Sequence, residues 1–158
     1  MDDRLAEIAV RDMLRDNLTD PMLQWGKEDR QWIHNDKPLQ AALYPRIQIE
    51  KRTDTPIIPI SLGFDYWEER ILSLDVWFWT KINFKWTLGE ENLVNEELVK
   101  HYLEQIHQAI KNNAKGARSQ YGVYARVLAI GAPELDESGQ FYLGRVTMSV
   151  QYFEGGCQ

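Results

Sequence analysis

The feature that most constrains this chain is a ten-residue segment, residues 71–80, in which two kinds of side chain alternate. The alternation has a period of two residues, which is the period of a β-strand. One face of this strand would be uniformly apolar, because it carries Leu72, Leu74, Val76 and Phe78. The segment therefore predicts a strand with one face in the core.

The opposite face of the same strand combines polar groups with large aromatic rings: Ser73, Asp75, Trp77, Trp79 and Lys81. Two indole rings are costly to leave in water, so we expect a helix or another subunit to cover this face. The pattern predicts a binding surface rather than a catalytic pocket.

The rest of the chain contains patterns for two helices and three further strands. In chain order these elements span about 3–18, 46–50, 95–112, 123–130 and 144–153. A chain of 158 residues, 44% of them hydrophobic, can bury one core, so we expect a single domain over 1–158 with a flexible tail at 154–158. We predict an α+β fold: a small antiparallel or mixed sheet of about four strands, with a helix packed on one face and an N-terminal helix.

Residues 51–69, called the arm below, contain Pro56 and Pro59, which are poorly tolerated in a central strand. We expect the arm to be extended or to form a long hairpin; the alternative is a loop folded over the chain's own core. Its apolar side chains would be a liability in water unless a partner covers them. With the two tryptophans they form the predicted subunit or partner interface: Ile57, Ile58, Ile60, Phe64, Tyr66, Trp67, Trp77 and Trp79.

The charge of the chain argues against adhesion to nucleic acid. The net charge is −6 at pH 7, whereas nonspecific DNA binding needs a clustered basic surface. Residues 77–86 interleave aromatic rings with lysines, as base-stacking platforms do, but the overall acidity favours packing against the core or a subunit. An acidic surface also suits a channel through which DNA slides, although simple solubility is the preferred explanation of the charge.

No set of residues has the spacing of a catalytic or metal site. His101 and His107 are six residues apart on the predicted helix, so they point to different faces. The paired acids lie in loops or at a helix start, and the single cysteine, Cys157, excludes an internal disulfide. We therefore expect a protein that is not an enzyme and that uses no cofactor and no metal.

The beginning of the chain, Met1-Asp2-Asp3-Arg4, has no apolar signal region. No later run approaches the roughly 18 apolar residues that a membrane helix requires. We expect a protein of the cytoplasm with no membrane partner.

The order of these elements resembles the tail-terminator or tail-completion proteins of long-tailed bacteriophages and related archaeal viruses. The resemblance spans nearly the whole chain and rests on its elements in order: the N-terminal helix, the strand 44–50, a long hairpin, the strand 71–80, the helix 95–112 and the closing hairpin 123–153. The six tryptophans and the segment 22–43 depart from the pattern.

The resemblance implies a noncatalytic virion structural protein that forms a ring, usually a hexamer. Such a ring caps the tail tube and joins it to the head-closure or connector protein, first in the host cytoplasm and then in the virion tail. The implied partners are further copies of this chain, the tail tube protein and the connector, while DNA passes without specific binding. Acids that would face the DNA channel are Glu50, Asp75, Glu90 and Glu91.

Two alternatives stay open on the sequence. One is a small cytoplasmic ligand-binding domain or enzyme whose aromatic sheet face lines a pocket, with Asp75 and His34 as its polar groups. The other is a different ring or baseplate component of the same virion.

Overall fold

A computed structural model describes eleven elements in residues 2–22, 31–35, 44–52, 54–62, 65–88, 91–113 and 120–157. They are α1 (Asp3–Asn17), β1 (Ile33–His34), β2 (Arg46–Lys51), β3 (Ile57–Leu62), β4 (Asp65–Lys81), β5 (Lys85–Leu88), β6 (Glu91–Val94), α2 (Asn95–Asn113), β7 (Tyr124–Ile130), β8 (Glu134–Leu135) and β9 (Phe141–Cys157). Neither helix in this described part is long and apolar enough to cross a membrane.

The main sheet is built on one pair of long strands. β4 and β9 have 17 residues each and pair antiparallel along their whole length, from Asp65 opposite Cys157 to Lys81 opposite Phe141. The alternating segment 71–80 lies inside β4, so its two faces become the two faces of the sheet.

The other strands attach on the two sides of this pair. On one side, β2 and β3 both run antiparallel to β4 and follow each other along it, and β1 pairs parallel with β2. On the other side, β7 and β8 pair with β9. β3 is thus at an edge, which suits the proline in its middle. β5 and β6 form a separate two-stranded ribbon.

The prediction of a sheet of about four strands was wrong, because the described residues contain a seven-stranded mixed sheet and the two-stranded ribbon. Two of the additional strands, β1 and β8, have only two residues each and are too short to show a period. β3 contains a proline, and the first residues of β4 do not alternate cleanly, so the arm was expected to be extended or a long hairpin and was not counted among the strands of the sheet.

Both helices pack on the same face of the main sheet, called the inner face. The core joins residues of α1 and α2 to Leu72, Leu74, Val76 and Phe78 of β4. α2 lies close to β9 at Gly144: a Cβ there would come within 2.7 Å of Leu103 and 2.8 Å of Val99. A side chain at position 144 would therefore force the helix away from the sheet.

The start of α1 is fixed to the sheet by one carboxylate. Asp3 accepts hydrogen bonds from the Tyr152 hydroxyl of β9, from Thr55 Oγ1 at 2.5 Å and from Lys51 Nζ at 2.9 Å. Burial raises the pKa of Asp3, but the bonds from Thr55, Tyr152 and Lys51 outweigh it and lower the pKa from 3.8 to about 2. Asp3 thus connects α1, the end of β2, the arm and β9.

Candidate interaction surfaces

The opposite face of the main sheet, called the outer face, carries the tryptophans. Strand register puts Gln48 of β2 and Arg145 of β9 on either side of Trp77. α1 does not cover this face, because its buried side chains belong to the core on the inner face.

Asp75 is the centre of a polar cluster on the outer face. Asp75 is 7% exposed, and its carboxylate accepts a hydrogen bond from Thr147 Oγ1 at 3.0 Å. Arg52 Nε lies 3.3 Å and Arg145 Nη1 3.8 Å from Asp75 Oδ2. The negative charge of Asp75 is therefore compensated by two arginines of its own chain.

The four acids predicted to face a channel do not form one group. Glu50 lies opposite Asp75 in the sheet and accepts a hydrogen bond from Gln48 Nε2 at 2.8 Å. Glu91 begins β6 in the separate ribbon, and Glu90 lies outside the described residues. Two of the four acids thus share the outer face, and each has a partner within the chain.

The two tryptophans are half-buried, partly by their own chain. The guanidinium of Arg145 lies 5.6 Å from the ring centroid of Trp77, within cation–π range. Trp79 meets Phe141 edge-on with ring centroids 6.2 Å apart, and Phe141 in turn contacts Tyr44 at 4.5 Å. The indole Nε1 of Trp79 is buried and has no hydrogen-bond partner among the described residues.

His34, the other polar group considered for a pocket, also lies on the outer face. It is opposite Gln48, and Gln48 is opposite Trp77, so His34 is two strands, about 10 Å, from β4. The other two histidines are separate as well: His101 packs against Trp86 at 5.5 Å, and His107 Nδ1 is 3.4 Å from Glu104. Within the described ranges, no three potential metal ligands come together.

The arm forms a hairpin with apolar side chains in solvent. β3 pairs with the first residues of β4, and the far side of β4 pairs with the end of β9. Ile57, Ile58 and Trp67 are 38–50% exposed, and so is Phe153 of β9, which the sequence patterns did not single out. Ile60 is half-buried. Phe64 lies outside the described residues, and of Tyr66 only the strand position is described.

A second apolar surface follows β7, the strand at the other edge of the sheet. Leu128, Ile130 and Leu135 of β8 are 43–51% exposed. The register shifts between Val127 and Ala129, which is a β-bulge. The sequence signalled only a mostly apolar run here, so these residues were missed as interface candidates.

A shallow groove of about 360 Å³ lies between these two surfaces. Its lining comes from three strands: Glu69 and Ile71 of β4, Tyr124, Ala125 and Arg126 of β7, and Ser149 and Gln151 of β9. Gln151 Nε2 donates a hydrogen bond to Glu69. Arg126 is exposed and has no ion-pair partner in the described part of the chain. The groove thus combines apolar and polar side chains with one acid, Glu69, and one available cation, Arg126.

No protein-family model matches the chain, and no curated protein matches it significantly. Among solved structures, it is similar to a chain of the virion of a native gene transfer agent particle. The two share 9% identical residues with a TM-score of 0.47, and the alignment covers 94% of each chain. A similarity of this degree identifies neither a family nor a function.

Proposed function

We propose that this protein is a virion structural protein that caps the tail tube and joins it to the head connector, acting as a ring without catalysis. The order of elements resembles tail-terminator proteins, as described above. The observation that carries the proposal is a pair of different apolar surfaces at opposite edges of one sheet. One is the arm with β3 at its edge, and the other is β7 with β8.

Two different surfaces suit a ring better than a symmetric dimer. A dimer uses the same patch on both copies, whereas a ring joins one patch of each copy to another patch of the next. Exposed edge strands with large apolar side chains are normally blunted or covered, because they pair readily with other chains. In the proposed ring each copy covers the edge of its neighbour, and the outer parts of the ring meet the tube and the connector.

The ring would act by shape and surface complementarity. Subunit contacts of a stable assembly bury roughly 800 Å² for each partner. The exposed side chains of the arm and β7 provide an apolar centre for such a contact, and the charged groups around them provide its rim. DNA would pass through the ring without a specific site.

The test is the mass of the protein in solution, alone and with tail tubes assembled from the tube protein of the same genome. We expect rings of defined subunit number at the tube ends and tubes that stop growing once capped. A protein that stays monomeric and leaves tube ends free and growing would overturn the proposal. Monomers in the absence of tubes are compatible with it if rings form when tubes are added.

A further inference from the structure

The acidic segment 134–140 consists of β8 and the turn that joins β8 to β9. This segment, called the tip below, exposes the apolar side chain of Leu135 beside the exposed acids Glu134 and Glu137. Neither glutamate has an ion-pair partner within the described ranges. The groove offers Ile71 and Tyr124 as apolar surface and Arg126 as a cation, and its own acid, Glu69, already accepts a hydrogen bond from Gln151.

The tip is held in one conformation by its own hydrogen bonds. Asp136 Oδ1 accepts from the backbone N–H groups of Phe141 at 3.2 Å and Gln140 at 3.3 Å, and from Ser138 Oγ at 2.9 Å. The backbone N–H of Gly139 also donates to the carbonyl of Asp136 at 3.0 Å, with a positive φ of 71° at the glycine. A preformed turn loses little entropy on binding, which favours its use as a docking element.

The tip and the groove of one copy cannot meet. The tip pairs with β9 at residues 142–143, while the groove lies at residues 149–151 of the same strand. Six to nine residues of strand separate them, a distance of about 20–30 Å. A contact between tip and groove must therefore join two copies, and it joins different surfaces of each, as a ring requires.

We propose that the groove of each copy receives the tip of the next copy, with Leu135 against Ile71 and Tyr124 and Glu137 paired with Arg126. This inference rests on the proposed ring and names the contact between its subunits. One leucine and one ion pair bury too little area to hold a ring alone. They set the register of the neighbouring copies, while the apolar side chains of the arm and β7 supply most of the contact area.

Charge reversal tests the pairing. Arg126→Glu and Glu137→Arg should each weaken ring formation at least tenfold, measured by native mass spectrometry or light scattering over a concentration series, with tail tubes present if the unmodified protein needs them. The double variant should recover most of the loss, because the pair is restored with opposite polarity. Glu104→Arg, an exposed change on α2, is the matched control and should have no effect.

Disulfide trapping provides a second readout that does not need a stable ring. In a Cys157→Ala background, a mixture of Leu135→Cys and Ser149→Cys chains should form a mixed dimer, and the doubly substituted chain should form a ladder of covalent oligomers. A mixture of Leu135→Cys and Glu104→Cys chains is the control. No mixed dimer above this control would overturn the inference.

The outcomes separate this inference from the proposed function. If rings form normally with either charge reversal, the tip and groove do not pair, although the ring stands. If the reversals leave the ring intact but abolish binding to the tube or connector, the groove serves that partner and the inference is wrong. If no ring forms even with tubes present, the proposed function fails, and the trapping result alone then decides whether copies contact each other in this way.

Discussion

At the scale of single residues, Asp3 is a polar group whose contacts join distant parts of the chain. It bonds to Lys51, Thr55 and Tyr152, which lie 48, 52 and 149 residues away. Because the carboxylate is about three-quarters buried, these bonds are worth more than surface pairs of the same type. Helix α1 therefore depends on its first residue for its position on the sheet, whereas Asp2 caps its start.

We expect the contribution of Asp3 to depend on pH. Its pKa is lowered to about 2 in the folded chain, against 3.8 ordinarily, which corresponds to roughly 2 kcal/mol of stability. A carboxyl group whose pKa is lower in the folded chain than in the unfolded chain stabilises the fold fully at pH values above its unfolded pKa. The contribution of Asp3 is therefore present above about pH 5 and is lost as the pH falls towards 2. The free energy of unfolding of Asp3→Asn, measured in urea, should therefore be about 2 kcal/mol lower than that of the unmodified protein at pH 7. This difference should become smaller below pH 4.

Asp12→Asn is the control for this prediction. Asp12 lies on the same helix, but its side chain is 46% exposed and forms its ion pair with the adjacent Arg11. We expect Asp12→Asn to change the free energy of unfolding by less than about 0.5 kcal/mol at every pH. If the difference in free energy of unfolding between Asp3→Asn and the unmodified protein stayed constant from pH 7 to pH 2, the charge of Asp3 would not have the role proposed for it.

The two tryptophans on the outer face give a second prediction at this scale. Replacing a fully buried aromatic side chain by alanine lowers the free energy of unfolding by about 3–5 kcal/mol. Because Trp77 and Trp79 are half-buried, replacing each of them should lower it by about 2 kcal/mol. The double variant Trp77→Ala, Trp79→Ala should lose several kcal/mol in chemical unfolding or fail to assemble. If its stability were unchanged and binding to single-stranded DNA were lost, the rings would be a base-stacking platform instead.

At the scale of elements, the arm lies outside the part of the sheet on which the helices pack. The core residues of β4 begin at Leu72, whereas β3 pairs with residues 65–70. The arm thus extends beyond the apolar core that α1 and α2 cover. An element of this kind adds little to the core and a great deal of surface, which is typical of an assembly element.

Deleting residues 55–60 should leave a folded monomer that no longer joins its partners. The expected loss of stability is small apart from the contact of Thr55 with Asp3, because Ile57 and Ile58 are exposed. Circular dichroism checks the fold, and mass in solution checks assembly. Thr55→Val is the matched control, since it removes that hydrogen bond and keeps the arm. Normal assembly of the deletion variant would mean that the arm is only a surface hairpin.

At the scale of the whole molecule, the distribution of charge bears on DNA. The chain carries a net charge of −6, and the cations near Asp75 are already paired with it. A protein that lets DNA slide needs low friction rather than affinity. We expect no measurable binding to duplex DNA at about 0.15 M salt, where the screening length is about 8 Å.

Fluorescence anisotropy with labelled duplex DNA tests this prediction. The titration is repeated at about 0.02 M salt, where surface electrostatics are strongest. Submicromolar binding that weakens steeply with salt would count against a passive ring and in favour of a protein that handles DNA. The Arg126→Glu variant serves as a comparison, since it removes the exposed cation of the groove.

Local periodicity determined which residues of the central strand face the core. Leu72, Leu74, Val76 and Phe78 are all fully buried on the inner face, while Trp77 and Trp79 lie on the outer face. The helices begin and end within one residue of the positions that the sequence indicates. These properties depend on neighbours two to four residues away, so the sequence contains them directly.

Only the tertiary structure decided which strands meet and which side chains they bring together. The three partners of Asp75 are 23, 70 and 72 residues away from it, and the groove draws its lining from three strands. Arg126 and Tyr124 line the groove only because β7 pairs with β9 at the edge of the sheet. Pairing of this kind depends on which surfaces bury best across the whole chain, and no local pattern carries that information.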